Sequence, residues 1–149
     1  MSLSSPYNQY QRTAVETANP TRLVIMLYDG AIRFLNQVIP AIQAKDYEKK
    51  GIYIVKAQMI VAHLQNTLDH TAGGSVAKSL DNIYTRMYHT LTEANLQDAP
   101  AKIEEVIYAL RELREAWVEV DRQCQASKAP ASITTETRSQ DVSLRRIAA

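Results

Sequence analysis

Apolar residues recur along this chain at alternating steps of three and four, in four separate blocks. Val24, Tyr28, Ala31, Leu35, Val38 and Ile42 make the first, and Tyr53, Ala57, Ile60, Leu64 and Leu68 the second. Leu80, Tyr84, Met87, Leu91 and Ala94 make the third, and Ile103, Val106, Leu110, Leu113, Trp117, Val120 and Cys124 the fourth. Positions spaced in this way share one face of an α-helix. Punctuation sets the ends. Asn19 is a good N-cap and Pro20 suits the first helical position, where a missing N–H costs nothing, so the first helix is predicted from 20 to about 44. Asp46 caps a second over 47–70, closed by Gly73-Gly74. Ser75 opens a third that ends near 97, and Asp98 with Pro100 starts a fourth that runs to about 126. Pro40 predicts a bend between Asn36 and Pro40, because its ring lacks an N–H and crowds the carbonyl four residues back. Gly51 is a second weak point inside a helix.

Four stripes with a mean spacing of about 3.5 residues, joined by short connections, predict an all-α fold: an antiparallel four-helix bundle with crossing angles near ~20°. The predicted organisation is an amino-terminal cap segment over 1–18, the bundle over 19–126 and a polar carboxyl-terminal tail over 127–149. The first segment is polar but carries Tyr7, Tyr10 and Val15, and the tail carries Ile133, Val142, Leu144 and Ile147.

Composition narrows this further. With 149 residues, 46% of them hydrophobic, the chain has enough apolar material for one full core. Four glycines and five prolines are too few to punctuate the many short strands of a sandwich or barrel. Seventeen Lys and Arg against sixteen Asp and Glu give a net charge of +1, with no basic face for nucleic acid and no polybasic run for a membrane surface. The lone Cys124 cannot form an internal disulfide, and Met1-Ser2-Leu3-Ser4-Ser5 lacks the basic and apolar regions of a signal peptide. The expectation is a soluble cytoplasmic protein without membrane insertion.

Catalytic chemistry finds little footing. His63 and His70 are separated by roughly 10 Å along a helix, too far to share a metal ion, and there is no Glu-x-x-His pair of the di-metal bundles. Neither a glycine-rich phosphate loop nor a serine nucleophile elbow is present. Cys124 falls on the core stripe, where it serves as a small hydrophobe. The expectation is therefore a protein that is not an enzyme and needs no metal or cofactor. A histidine phosphotransfer bundle, using His63 or His89, is the alternative reading, although neither histidine is followed by the lysine and glycine usual in such domains.

The informative feature is a surplus of apolar surface. Ile52, Val55, Met59 and Ala62 form a second stripe on the second helix, roughly opposite the first. Ile25, Ile32 and Ile39 widen the first helix's stripe on one side and Leu23, Leu27 and Phe34 on the other, while Tyr84 and Tyr88 widen the third's. A helix in a four-helix core needs one stripe. A second one suits a partner groove, whose natural complement is an amphipathic helix. A second copy of the chain is the other occupant such a stripe suits, as a homo-oligomer.

The stretch Asn19-Pro20-Thr21-Arg22-Leu23-Val24-Ile25-Met26-Leu27-Tyr28-Asp29-Gly30-Ala31 resembles the opening helix of flagellar export chaperones of the FliS type. Leu-Tyr-Asp-Gly-Ala at 27–31 is its most specific part. Similar matches follow in order: Lys56-Ala57-Gln58-Met59-Ile60, Leu68-Asp69, Gly73-Gly74, Glu93-Ala94-Asn95 and Leu113-Arg114-Glu115-Ala116-Trp117. The resemblance implies a cytoplasmic chaperone that binds the disordered carboxyl-terminal region of flagellin. Such a chaperone prevents premature polymerisation and keeps flagellin competent for flagellar type III export, handing it to the export apparatus. On that footing Ile25, Ile32, Ile52, Val55, Met59, Tyr84 and Tyr88 are the candidate flagellin-binding groove. Tyr7 and Tyr10, which look like the family's amino-terminal tyrosines, anchor the cap.

Overall fold

The computed structural model describes residues 19–127. Helices α1 (Pro20–Leu35), α2 (Val38–Gln43), α3 (Tyr47–Asn66), α4 (His70–Gln97) and α5 (Pro100–Ser127) follow in order, with no strand among the described residues. The expected cap segment, with Tyr7 and Tyr10, lies outside the described residues, as does the tail beyond Ser127.

The fold is the expected all-α bundle, with its first helix cut in two. The α1 backbone closes on Asn36, whose N–H donates to the Ile32 carbonyl, while the Gln37 N–H donates to that of Phe34. Pro40 then falls in the first turn of α2, so the donor it lacks is one that a helix start leaves unpaired anyway. The break thus places the proline where it does least harm.

Polar pairs fix the helix directions. Asn19, the N-cap of α1, accepts the Arg22 N–H, and its side-chain amide donates to Asp121 near the end of α5. Phe34 near the end of α1 lies 5.9 Å, ring to ring, from Tyr53 near the start of α3. Lys102 at the start of α5 pairs with Glu93 near the end of α4 at 2.9 Å. Each neighbouring pair therefore runs antiparallel, and α1 and α4 face one another across the bundle's diagonal.

The α3–α4 seam is laced by hydrogen bonds. The buried Lys50 ammonium donates to the Asn95 carbonyl at 2.9 Å and pairs with Asp98. Gln58 donates to the Tyr88 carbonyl at 3.1 Å and to Thr92 Oγ1 at 2.9 Å, and Gln65 reaches Asp81 Oδ1 and Thr85 Oγ1 at 2.7 Å each. These polar groups turn inward at helical spacing, and they shift the core stripe of α3. Ile54, Ala57, Val61 and Leu64 are its buried residues. Of the expected stripe, Tyr53 and Ile60 are only half-buried, and Leu68 lies beyond the helix end.

Two boundaries differ from expectation. Gly73-Gly74 does not close α3, which ends at Asn66 with Thr67 as its C-cap. Asp69 caps α4 instead, accepting the Ala72 N–H at 2.9 Å, and Gly74 at φ 54° and ψ −127° kinks that helix after one turn. A residue with a side chain is strained in that conformation, which explains a glycine here. Asp98 is not the start of α5. It ends α4 at φ 48°, with its N–H donating to the Ala94 carbonyl.

Gly51 has no such constraint: a Cβ placed there meets no atom within 4 Å. Gly51→Ala should therefore stabilise the bundle by about 0.5–1 kcal/mol through helix propensity alone. The expected rise in Tm is roughly 1–4 °C, read by thermal circular dichroism.

Candidate functional site

The Leu-Tyr-Asp-Gly-Ala stretch of α1 is a hub, because successive residues stand 100° apart on a helix and so face different neighbours. Tyr28 enters the centre of the bundle. Its hydroxyl lies 2.5 Å from that of Tyr84 on α4 and accepts the Trp117 indole N–H from α5 at 3.2 Å. Asp29 pairs with Arg114 of α5. Gly30 is buried against α3, where a Cβ would come within 3.3 Å of Ile60 Cδ1. Burial pushes the Tyr28 hydroxyl up to about 12, against the opposing pull of its two hydrogen bonds, and raises Tyr84 further. Both phenols therefore stay protonated, as the shared hydrogen bond requires. The motif holds the fold together.

Seven candidate groove residues fall in three places. Ile52, Val55 and Met59 are 46%, 47% and 67% exposed, so α3 turns a strip of large apolar side chains to solvent. Tyr88 is 40% exposed, and its carbonyl meets Gln58 at the α3–α4 seam, one residue before Met59 on α3. Ile25 and Ile32 are half-buried and pack on the core. They lie one turn either side of Asp29, on the flank of α1 that meets α5. The seven therefore do not line a single groove. Tyr84 is a correction: it is 1% exposed and belongs to the core, because its hydroxyl is satisfied by Tyr28 rather than by solvent or a partner.

Sequence reasoning missed a second apolar feature. Between α4 and α5 runs a furrow of about 300 Å³ with Ile83, Met87, Val106, Ala109 and Leu113 along it. Arg86 and Thr90 edge it on α4, and Glu105 and Glu112 on α5. The available signal was Ile83, which precedes the core residue Tyr84 and widens the α4 stripe toward α5. How far two helices stand apart is not written in either one's periodicity, so the furrow itself was not legible.

Elsewhere the chemistry is sparse. Among the described residues there is no group of three or more His, Cys, Asp and Glu able to hold a metal ion, and no helix long and apolar enough to cross a membrane. His63 and His89 are exposed, and Cys124 is buried.

A helical bundle whose distinctive surface is unpartnered apolar side chains defines a protein that acts by holding another chain. The family model for the flagellar protein FliS matches residues 3–124. The flagellar secretion chaperone FliS of Campylobacter jejuni is 38% identical over 114 residues, covering 76% of this chain and 89% of the relative. That of Bacillus subtilis is 33% identical over 117 residues, covering 78% and 86%. That of Salmonella typhimurium is 35% identical over 109 residues, covering 72% and 81%. The chain belongs to the FliS family of flagellar secretion chaperones. This membership gives the phosphotransfer alternative at His63 or His89 no support.

Proposed function

We propose that this chaperone holds the disordered carboxyl-terminal region of flagellin in the cytoplasm. It thereby keeps flagellin from polymerising early and passes it to the flagellar export apparatus. The observation that carries this reading is the exposed strip Ile52, Val55 and Met59, at helical spacing and beside Tyr88. Each such side chain gains roughly 1.5–3 kcal/mol when a partner covers it fully. An amphipathic helix forming out of a disordered segment is the occupant that fits such a strip, its own apolar positions recurring at the same three-and-four steps. Ile25 and Ile32 form a second, partly covered contact at the α1–α5 flank, which a segment wrapping the bundle reaches after α3. The binding needs no metal or cofactor.

Titration calorimetry with a peptide of the flagellin carboxyl terminus tests this. Coupled folding and burial should give a large negative heat-capacity change, with new helical signal in circular dichroism. A flat titration at millimolar peptide would remove the flagellin reading.

In the same reading, Tyr7 and Tyr10 anchor residues 1–18 as a cap over the binding surface until the client competes for it. Deleting residues 1–18 should then raise the association rate for the peptide. An unchanged rate and affinity would reduce the segment to an ordinary terminus.

A further inference from the structure

The α4–α5 furrow is apolar along its floor but unlike at its two edges, with Arg86 on α4 facing Glu105 and Glu112 on α5. We propose that residues 141–147 of this same chain occupy that furrow and shield it. The segment reads Asp141-Val142-Ser143-Leu144-Arg145-Arg146-Ile147. Leu144 and Ile147 stand three apart, on one face of a helical turn, and supply the apolar contact. On that turn Arg146 stands on one flank of the apolar face and supplies the cation that the Glu105 and Glu112 edge calls for, with Asp141 on the opposite flank. Asp141, one turn earlier, supplies the anion for Arg86. No other part of the tail joins two apolar residues at helical spacing to adjacent cations.

Reach agrees with this assignment. The described chain ends at Ser127, the last residue of α5. Leu113 lies about 21 Å back along that helix at 1.5 Å per residue. A chain of ~17 residues, the separation of Leu144 from Ser127, reaches at most about 56–61 Å, more than twice that distance. The tether is therefore long enough to bring Leu144 back to Leu113 of its own bundle. Ile133 is too near: six residues cover about 20 Å only when fully stretched. The tail lies beyond the span matched by the family, which stops at residue 124, and the inference stands or falls apart from the flagellin reading.

The test is methyl-detected NMR on the full chain, comparing it with the double variant Leu144→Asp/Ile147→Asp. The methyl resonances of Ile83, Met87 and Leu113 should move on substitution, while those of Ile52 and Met59 stay in place. Arg146→Glu should give the same shifts, and adding Glu105→Lys/Glu112→Lys should return them toward the parent. Because the tail folds back on its own bundle, the parent's resonances should not change over about tenfold dilution. Three outcomes overturn the proposal. The furrow methyls could be indifferent to the tail, they could follow protein concentration as docking onto another copy would require, or they could respond to removal of residues 1–18 instead.

Discussion

Replacing Met59 by aspartate should weaken binding of a flagellin carboxyl-terminal peptide by about a hundredfold or more while leaving the bundle folded. Met59 is 67% exposed, so the free protein gives up little when its side chain changes. In the binding mode proposed above the same position is covered, so the variant should lose the transfer free energy of a methionine, roughly 1.5–3 kcal/mol. It must also desolvate a carboxylate or leave the contact open, which adds further cost. Together these exceed about 2.7 kcal/mol, the equivalent of two decades in Kd. Ile52→Asp should behave alike, and calorimetry beside thermal melts would separate lost binding from lost fold. Tyr108 is the control. It is 68% exposed, but its neighbours at helical spacing are Glu104, Glu105, Arg111 and Glu112, so it belongs to no apolar strip. Tyr108→Asp should bind peptide normally, and equal losses at Tyr108 and Met59 would sink the assignment of the α3 face.

The largest stability effect is expected at Tyr28, whose hydroxyl joins three helices. Tyr28→Phe keeps the ring but strands the Trp117 indole N–H and the Tyr84 hydroxyl, both in the interior. Leaving a buried polar group unpaired costs about 1–3 kcal/mol, so the pair should lose about 3 kcal/mol and some 6–12 °C of Tm. Tyr84→Phe should cost less, since Tyr28 keeps its bond from Trp117, and the two substitutions should be non-additive in a double-mutant cycle. The same phenols set an alkaline limit. Each holds its proton more tightly folded than unfolded, so its contribution is complete below pH 10 and is lost as pH rises through about 12 for Tyr28. Stability should therefore fall above pH 10 by about 1.4 kcal/mol per pH unit for each raised tyrosine. Denaturant midpoints measured from pH 9 to 12 should show a shallower fall in Tyr28→Phe than in the parent.

How much of this was legible in the sequence varies from helix to helix. On α5 one apolar stripe stands against a clear polar face, and on α1 the stripe is the centre of a wider apolar arc; Tyr28, Ala31, Leu35, Leu110 and Trp117 are buried as their spacing predicts. On α3 the run Ile52-Tyr53-Ile54-Val55 offers apolar residues in every direction, so periodicity alone cannot choose among them. The choice was made by Lys50, Gln58 and Gln65, which turn toward α4 because that helix presents carbonyls, hydroxyls and carboxylates to receive them. That inward turn rotates Ile54 and Val61 into the core and leaves Met59 outside. Tyr84 is buried as its place on the third stripe predicts, and only its inclusion in the groove misled: a tyrosine on a stripe reads as an edge residue until its hydroxyl's partner is known, and that partner lies on the diagonal helix. The loop around Gly74 was misplaced because a glycine pair signals a break equally well at the end of one helix and one turn into the next.

The centre of the bundle also carries its own optical probe. Trp117 is the chain's single tryptophan and is only 4% exposed, with its indole N–H on Tyr28. Its emission should stay blue while the helices remain closed around it, and redden once water reaches the indole. A client laid along the outside of α3 does not alter those surroundings, whereas one that prises the helices apart does. The native chromophore, without any added label, thus distinguishes a passenger carried on the surface from one that opens its carrier.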